Sequence, residues 1–419
     1  MEGKYYKKYI RIPPNETVDV RGILPIVNHP RFQRLLYVGQ LGATLRVFPG
    51  ASHNRFEHAL GVYSKTVKFC VKLVEEKSLT PKEAKNVSLF ALIHDIGHGP
   101  FSHLIEELTP YDHDKNGLTV LDELKDVIKQ SGGDIALIRK IFARQNPLYR
   151  IVMDKNLGMD KLDYLDRDTF HTGFGQRPDV ATILDYLNWI DNRLVVDKKS
   201  LEAAKQIQRL YLYMFREVYL HKSSLIAQRF LQKMFALYLS LRKINPKELW
   251  ALNDAELMAK IYTDPDARLK FLYTSYLHRV LPSTGLVFRI NTSQHKERLA
   301  GKHIKIIGQD QKFFEKFSKI QSPADLEKIE NIIAQALKVP PYMILVVPTL
   351  SLWRFVPEDV FYHDEGRILS LRVTQSEYFE SMGTELSDYL AVRVCIVGDR
   401  RLIYNNAAKI SRLIKNSIL

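Results

Sequence analysis

The run Leu89-Phe90-Ala91-Leu92-Ile93 has no polar face, yet it leads directly into His94-Asp95-Ile96-Gly97-His98. An apolar stretch of this kind reads as a buried helix, closed by Gly97, Gly99 and Pro100. Burying an unpaired imidazole or carboxylate costs several kcal/mol, so His94 and Asp95 need a partner that the apolar run does not contain. A divalent metal ion would satisfy both.

The remaining histidines strengthen that expectation. Six of the 13 (His53, His58, His94, His98, His103 and His113) fall between residues 53 and 113, where an even spread would put about two. Adjacent imidazole and carboxylate donors are the mixed ligands of iron, manganese, zinc or magnesium sites that handle phosphates. The loop from Val47 to Asn54 leads into a helix expected from about Arg55 to Glu76, with Phe56, Leu60, Tyr63, Val67, Cys70 and Val74 at helical spacing. On it His58 sits at the margin of the apolar stripe, with Arg55 one turn earlier on the same face. His103, beside Phe101 and Leu104, reads instead as a structural histidine bonded to a backbone carbonyl.

A further ligand is sought in the stretch from Leu157 to Gly173. Read as a helix, it puts Asp160, Tyr164, Arg167 and His171 on one polar face, flanked by Lys161 and Asp168. That pattern has two readings, a solvated surface or a face suited to a metal-bound phosphate ester.

Elsewhere the texture is coarser. Short strands are expected at Lys8–Ile12 and Val18–Val20, then a helix from Pro30 to Leu41. Long helical segments follow at about Leu201–Arg242, Pro246–Tyr262 and Pro265–Leu281. Beyond Pro282-Ser283-Thr284-Gly285 the pattern changes to strands (Leu286–Ile290, Met343–Val347, Ile368–Val373, Arg393–Val397) alternating with helices (Pro323–Leu337 and from Arg401). The expected fold is therefore mainly α, a helical domain over residues 1–284 followed by a smaller α+β domain over residues 285–419.

The chain has 61 basic and 47 acidic residues, a net charge of +14. That excess favours a polyanionic partner, either a nucleotide or a nucleic acid, or else reflects a generally basic surface. Neither a membrane-spanning run nor an apolar secretory segment is present, so a cytoplasmic protein without membrane attachment is expected. Cys70 and Cys395, in apolar surroundings, read as free buried thiols.

The set Arg55-x-x-His58, His94-Asp95 and Asp160 resembles the HD-domain metal-dependent phosphohydrolases. Longer stretches, His29–Leu35, Val47–His58, His94–His103 and Asp160-Lys161-x-Asp163-Tyr164-x-x-Arg167-Asp168, resemble the deoxynucleoside triphosphate triphosphohydrolase branch of that family over residues 20–225. The resemblance implies an HD-domain helical core and hydrolysis of a dNTP to deoxynucleoside and tripolyphosphate. It implies His58, His94, Asp95 and Asp160 as ligands of one divalent ion (Mn, Fe, Mg, Zn or Ni). It places His113 as the group that protonates the leaving oxygen, with His98 and Glu106 beside it in the catalytic set. It puts Arg55 and Lys161 on phosphates and Gln40, Leu41, Tyr164 and Asp168 around the sugar. Tyr219, in Tyr219-Leu220-His221-Lys222, matches a further substrate position. A homo-oligomer, dimer or tetramer, is also implied.

The sequence departs from that branch at four positions. Phe215 stands where the vertebrate enzymes have a substrate-contacting histidine, and Tyr211 stands near their triphosphate-binding arginine. Asn28 and Leu36 likewise replace an aspartate and an arginine of the activator-binding segment. These departures keep two other readings in view: a phosphodiesterase or nuclease acting on nucleic acid or a cyclic nucleotide, and a nucleic-acid-binding protein retaining the HD scaffold.

Overall fold

A computed structural model describes residues 8–291, 303–320, 322–349, 357–387 and 389–418. The fold is mainly helical, and the chain forms two compact units that interleave along it. One comprises residues 1–214, 246–255 and 357–376; the other comprises 215–245, 256–356 and 377–419. Sequence texture alone suggests a single boundary between 284 and 285.

The first unit is built around the Arg55–Glu75, Pro81–Ile93 and Met159–Thr172 helices. Asn54 caps the first by accepting from the Glu57 N–H, and Thr80 with Glu83 forms a reciprocal capping box, preceding Pro81, at the second. Leu89, Phe90, Ala91, Leu92 and Ile93 are all buried, as the absence of a polar face requires. The third helix stops at Gly173, which takes the left-handed conformation (φ 69°). Gly61 permits the Arg55–Glu75 and Met159–Thr172 helices to touch. A Cβ there would lie 2.0 Å from Asp163 Oδ1 and 2.2 Å from Arg167 Nη2.

Several expected elements are shorter or differently broken. Tyr9–Ile12 and Glu16–Asp19 pair as an antiparallel hairpin. The helix expected from Pro30 to Leu41 ends at Gln33 and continues as a 3-10 turn, Arg34–Tyr37. The long segment from Leu201 divides into Leu201–Met214, a π-helical turn Phe215–Tyr219, and Lys222–Arg242. A hairpin, Leu187–Ile190 with Arg193–Asp197, lies in the region expected to be helical and pairs in parallel with Phe361–Asp364. The pairing of Arg193–Asp197 is with a strand distant in sequence, which local periodicity does not register. Ile368–Val373 is strand only to Ser370, after which Leu371–Thr374 is helical.

In the second unit a four-stranded sheet has the spatial order Lys305–Gln309, Ser283–Ile290, Ala391–Ile396, Ile344–Thr349. The Pro323–Leu337 and Ala407–Ser417 helices contribute Leu326, Ile329, Ile333, Ile410 and Ile414 to the core against it. Inside this unit Glu330 is wholly buried. Its carboxylate accepts from Arg229 Nη2 (3.1 Å), Lys233 Nζ (2.5 Å) and the Val346 N–H (2.8 Å), tying the Lys222–Arg242 and Pro323–Leu337 helices to the sheet. Removing one member of such a set strands the others without compensation. Glu330→Ala is expected to destabilise the protein by about 3–5 kcal/mol, read as a lower urea midpoint with unchanged far-ultraviolet circular dichroism under native conditions.

Candidate metal and phosphate site

His94 and Asp95 lie immediately past the Pro81–Ile93 helix, His58 on the first turn of the Arg55–Glu75 helix, and Asp160 at the start of the Met159–Thr172 helix. Folding brings them together. Ligand atoms of His58, His94 and Asp95 lie within 4.8 Å of one another. Asp160 Oδ1 is 3.1 Å from His58 Nε2 and 3.7 Å from His94 Nε2.

The outward-facing atoms of the two imidazoles are held in place from behind. His58 Nδ1 bonds Asp163 Oδ2 (2.8 Å) and His94 Nδ1 bonds the Ala91 carbonyl oxygen (2.8 Å). Each partner accepts, so Nδ1 carries a proton and, in the neutral ring, Nε2 presents its lone pair. Both Nε2 atoms are buried and face the Asp160 carboxylate, with no other side-chain partner among the described residues that meets hydrogen-bond geometry. Two buried lone pairs beside two carboxylates form a donor set that fits a divalent ion.

Asp163, to which the sequence reading assigned no role, is fully buried and takes four bonds: from His58, from Lys65 Nζ (2.7 Å), and from Arg167 Nε (3.0 Å) and Nη2 (2.8 Å). Arg167 is accordingly 1% exposed, which excludes the solvated-surface reading of that part of the helix. Burial opposes a charged His58, but hydrogen bonds to Asp160 and Asp163 outweigh it and raise its pKa to about 9.

A second cluster adjoins the first. The ligating atoms of His98, His103, Glu106 and His113 lie within 4.8 Å of one another. Glu106 bonds His113 Nδ1 (2.7 Å) through Oε1 and His103 Nδ1 (3.0 Å) through Oε2, while the His98 and His113 rings stack at 4.1 Å. His98 Nε2 is 3.4 Å from Asp95 Oδ1. The environments drive the two stacked rings apart. Burial and the Arg55 guanidinium hold His98 well below the usual imidazole range, whereas Glu106 raises His113 against its own burial. Gly97 makes the approach possible, since a Cβ there would lie 2.1 Å from the His113 carbonyl oxygen. His103 is not bonded to a backbone carbonyl as expected; its side chain is 68% exposed and held by Glu106. The spacing His103-x-x-Glu106, one helical turn, is the signal that could have found it.

Arg55 is buried and bonds Asp95 Oδ2 and, through Nε, Ser102 Oγ (2.7 Å). Phe101 and Ser102 both have positive φ (54° and 53°), and Asp254 holds that turn by accepting from the Phe101 N–H (2.7 Å) and the Gly39 N–H (3.0 Å). Such backbone costs about 1–3 kcal/mol per residue and persists where its surroundings fix it. Gln40 and Leu41 follow Gly39 directly, and the buried Gln40 Oε1 has no hydrogen-bond partner among the described residues. Asp168, which the resemblance places around the sugar, is 1% exposed and bonds His53 Nε2 (2.7 Å). Lys161 Nζ lies 3.5 Å from the centroid of the Tyr211 ring, and with Asp160 and Tyr164 it lines a cavity of about 580 Å³. Tyr219 belongs to the second unit, its ring 5.0 Å from that of Phe215.

A family model of the HD domain matches residues 55–167, the span that holds His58, His94, Asp95 and Asp160, and a model of an HD associated region matches residues 179–318. Residues 55–167 are an HD domain. Among curated relatives of this HD-domain chain, the deoxynucleoside triphosphate triphosphohydrolase SAMHD1 homolog of Dictyostelium discoideum is 28% identical over 59% of this chain and 53% of its own length. Mus musculus SAMHD1 is 31% identical over 44% of this chain and 35% of its own, and the uncharacterized Bacillus subtilis protein YwfO is 29% identical over 54% and 55%. The chain thus spans about half the length of the first of these relatives. A phosphohydrolase from Bacteroides thetaiotaomicron shares the fold over 94% of this chain and all of its own, with a TM-score of 0.70 at 22% identity. A hypothetical protein from Aquifex aeolicus does so over 97% of this chain and all of its own, with the same score at 24% identity.

Because the ligating form of imidazole is neutral and His58 binds its proton up to about pH 9 in the absence of an ion, metal uptake at pH 7.5 is expected to release a proton. Affinity for Mn²⁺ should rise with pH until about 9, and the binding enthalpy measured by calorimetry should depend on the ionisation enthalpy of the buffer. A buffer-independent enthalpy and a flat pH dependence would contradict the assignment of His58.

Proposed function

We propose that this HD-domain chain is a metal-dependent phosphohydrolase that cleaves deoxynucleoside triphosphates to deoxynucleoside and tripolyphosphate. The support is the pair of buried Nε2 atoms of His58 and His94, which face the Asp95 and Asp160 carboxylates next to a cavity containing Lys161. His58, His94, Asp95 and Asp160 would hold the ion. A divalent ion in such a set supplies a Lewis acid to the phosphate and acidifies water.

The chain's own residues supply the rest. Lys161, whose burial lowers its pKa to about 8, remains cationic at neutral pH and neutralises phosphate charge. Arg55 fixes the orientation of Asp95 through their ion pair. Glu106 holds the Nδ1 proton of His113 and stabilises the imidazolium, leaving Nε2–H to protonate the leaving 5′ oxygen as water attacks the α-phosphorus and the P–O5′ bond breaks. His98, kept neutral, adds no second positive charge to the stack. Gln40 and Leu41 would border the sugar.

Product analysis tests this directly. Incubation of the protein with each dNTP and Mn²⁺, Mg²⁺ or Fe²⁺ should give deoxynucleoside and tripolyphosphate in equal amounts, and Asp95→Ala should lower turnover by at least 10³-fold. Absence of tripolyphosphate with every ion would overturn the substrate assignment. The net charge of +14 and the tyrosine at position 211 favour a second reading, a nuclease or phosphodiesterase, which predicts cleavage of labelled single-stranded DNA or RNA instead.

The acid role of His113 sets the pH dependence. With its folded pKa raised, the active imidazolium is present below that pKa and lost above it, so kcat should fall on an alkaline limb. Glu106→Gln removes the carboxylate that raises the pKa, and should move that limb to lower pH as well as lowering kcat by about 10²-fold. A limb that stays in place would assign it to another group, Lys161 first.

A further inference from the structure

We propose that Arg144 and Arg150 form an anion subsite at the mouth of the Asp160–Lys161 cavity, taking the outer phosphates of an oligophosphate chain whose inner phosphate lies at the His58/His94/Asp95/Asp160 cluster. The subsite rests on the phosphohydrolase reading and names the part of the substrate that the cavity beyond the cluster would recognise.

The cavity holds four cations, Arg144, Arg150, Lys155 and Lys161, and at about 580 Å³ it has the size of a small-molecule pocket. Three carboxylates share it, yet none cancels the arginines. Asp160 belongs to the ligand set. Asp154 is turned to its own loop, where Oδ1 accepts from the Asn156 and Leu157 N–H groups (both 2.9 Å). Glu358 Oε1 is spent on Lys155 (2.5 Å).

Arg150 is positioned rather than neutralised, and Arg144 is anchored through one nitrogen to a single carboxylate. Arg150 donates from Nη1 to the Asn192 carbonyl oxygen (2.9 Å) and lies against the Tyr149 ring at 5.7 Å, and among the described residues it has no acidic partner. A guanidinium held by a neutral carbonyl keeps its charge and most of its donors for an anion. Arg144 Nη2 bonds Asp114 Oδ2 (2.7 Å), and Asp114 Oδ1 is 3.7 Å from His113 Nε2. Arg144 therefore joins the cavity rim to the acid–base cluster, with its remaining N–H groups available.

At the floor, Lys161 Nζ rests on the Tyr211 ring, which brings no charge of its own. A chain of phosphates entering past Asp160 would meet Lys161 first and the arginines next. Both arginines come from the segment between the Ile135–Phe142 helix and the Tyr149–Met153 helix and its first turn. Cationic recognition is thus displaced from the helix that carries Tyr211 to this segment. A nucleic-acid backbone presents singly charged phosphates spaced by sugars, a poorer match to four cations lining one cavity than a terminal oligophosphate.

The test is direct binding of inorganic tripolyphosphate to the full-length protein by calorimetry, with equal metal content in every sample. Arg144→Gln with Arg150→Gln together should weaken binding at least tenfold, Arg150→Lys should retain part of the affinity, and Lys129→Gln on the Lys125–Gln130 helix, outside the cavity lining, should leave it within twofold. Circular dichroism and Tm establish that each variant folds. Equal binding by the double variant, or no saturable binding by the unaltered protein, would overturn the subsite. Tighter binding of a single-stranded oligonucleotide than of tripolyphosphate, lost in the same double variant, would overturn it in favour of a nucleic-acid backbone. If the binding pattern holds and no dNTP is hydrolysed, the substrate assignment fails and the subsite stands.

Discussion

The structure of the candidate site depends on one buried carboxylate. Asp163 is fully enclosed, and Lys65 and Arg167 compensate its charge while it binds His58 Nδ1. Without those two cations the carboxylate could not stay ionised there, and without the carboxylate the His58 ring would have no fixed tautomer. The same contact sets the helix packing, because the Asp163 and Arg167 side chains occupy the space that a side chain on Gly61 would fill. Charge compensation, helix approach and imidazole orientation are here a single arrangement.

A second arrangement of this kind surrounds Glu106. It holds His103 and His113 by their Nδ1 atoms, while Arg55 and burial act on His98 in the opposite sense. Two stacked imidazoles of opposite protonation preference result from neighbours of opposite charge, a pattern that separates acid from bystander in many catalytic sites. Gly97 permits the closeness on which this depends, since the backbone around His113 fills the position its Cβ would take.

The cavity beside these clusters explains how the chain could handle a polyanion without a cation at position 211. Tyr211 gives Lys161 an aromatic surface to rest on, and positive charge reappears at Arg144 and Arg150. Positive charge around the cavity is thus distributed among elements rather than tied to one helix. The buried set of Glu330, Arg229 and Lys233 in the other unit shows the same economy of pairing, but there it ties helices to a sheet and serves stability.

Much of the candidate site was legible in the sequence. His94 and Asp95 after an apolar run, His58 one turn from Arg55, and Asp160 on a polar helical face are local patterns, and local patterns determine which residues a helix presents on one side. The buried helix Pro81–Ile93, the helix from Arg55 and the Pro323–Leu337 helix were determined in the same way. What only the tertiary structure decided is which polar residues pair. Asp163, Arg167 and Asp168 look alike on a helical wheel, yet one holds His58, one compensates that carboxylate, and one pairs with His53. The hairpin at Leu187–Asp197, the role of His103, the interleaving of the two units and the cations of the cavity rim likewise depend on partners distant in the chain. Periodicity records which face of an element is apolar; it carries no information about which partner will meet that face, because that is set by long-range packing.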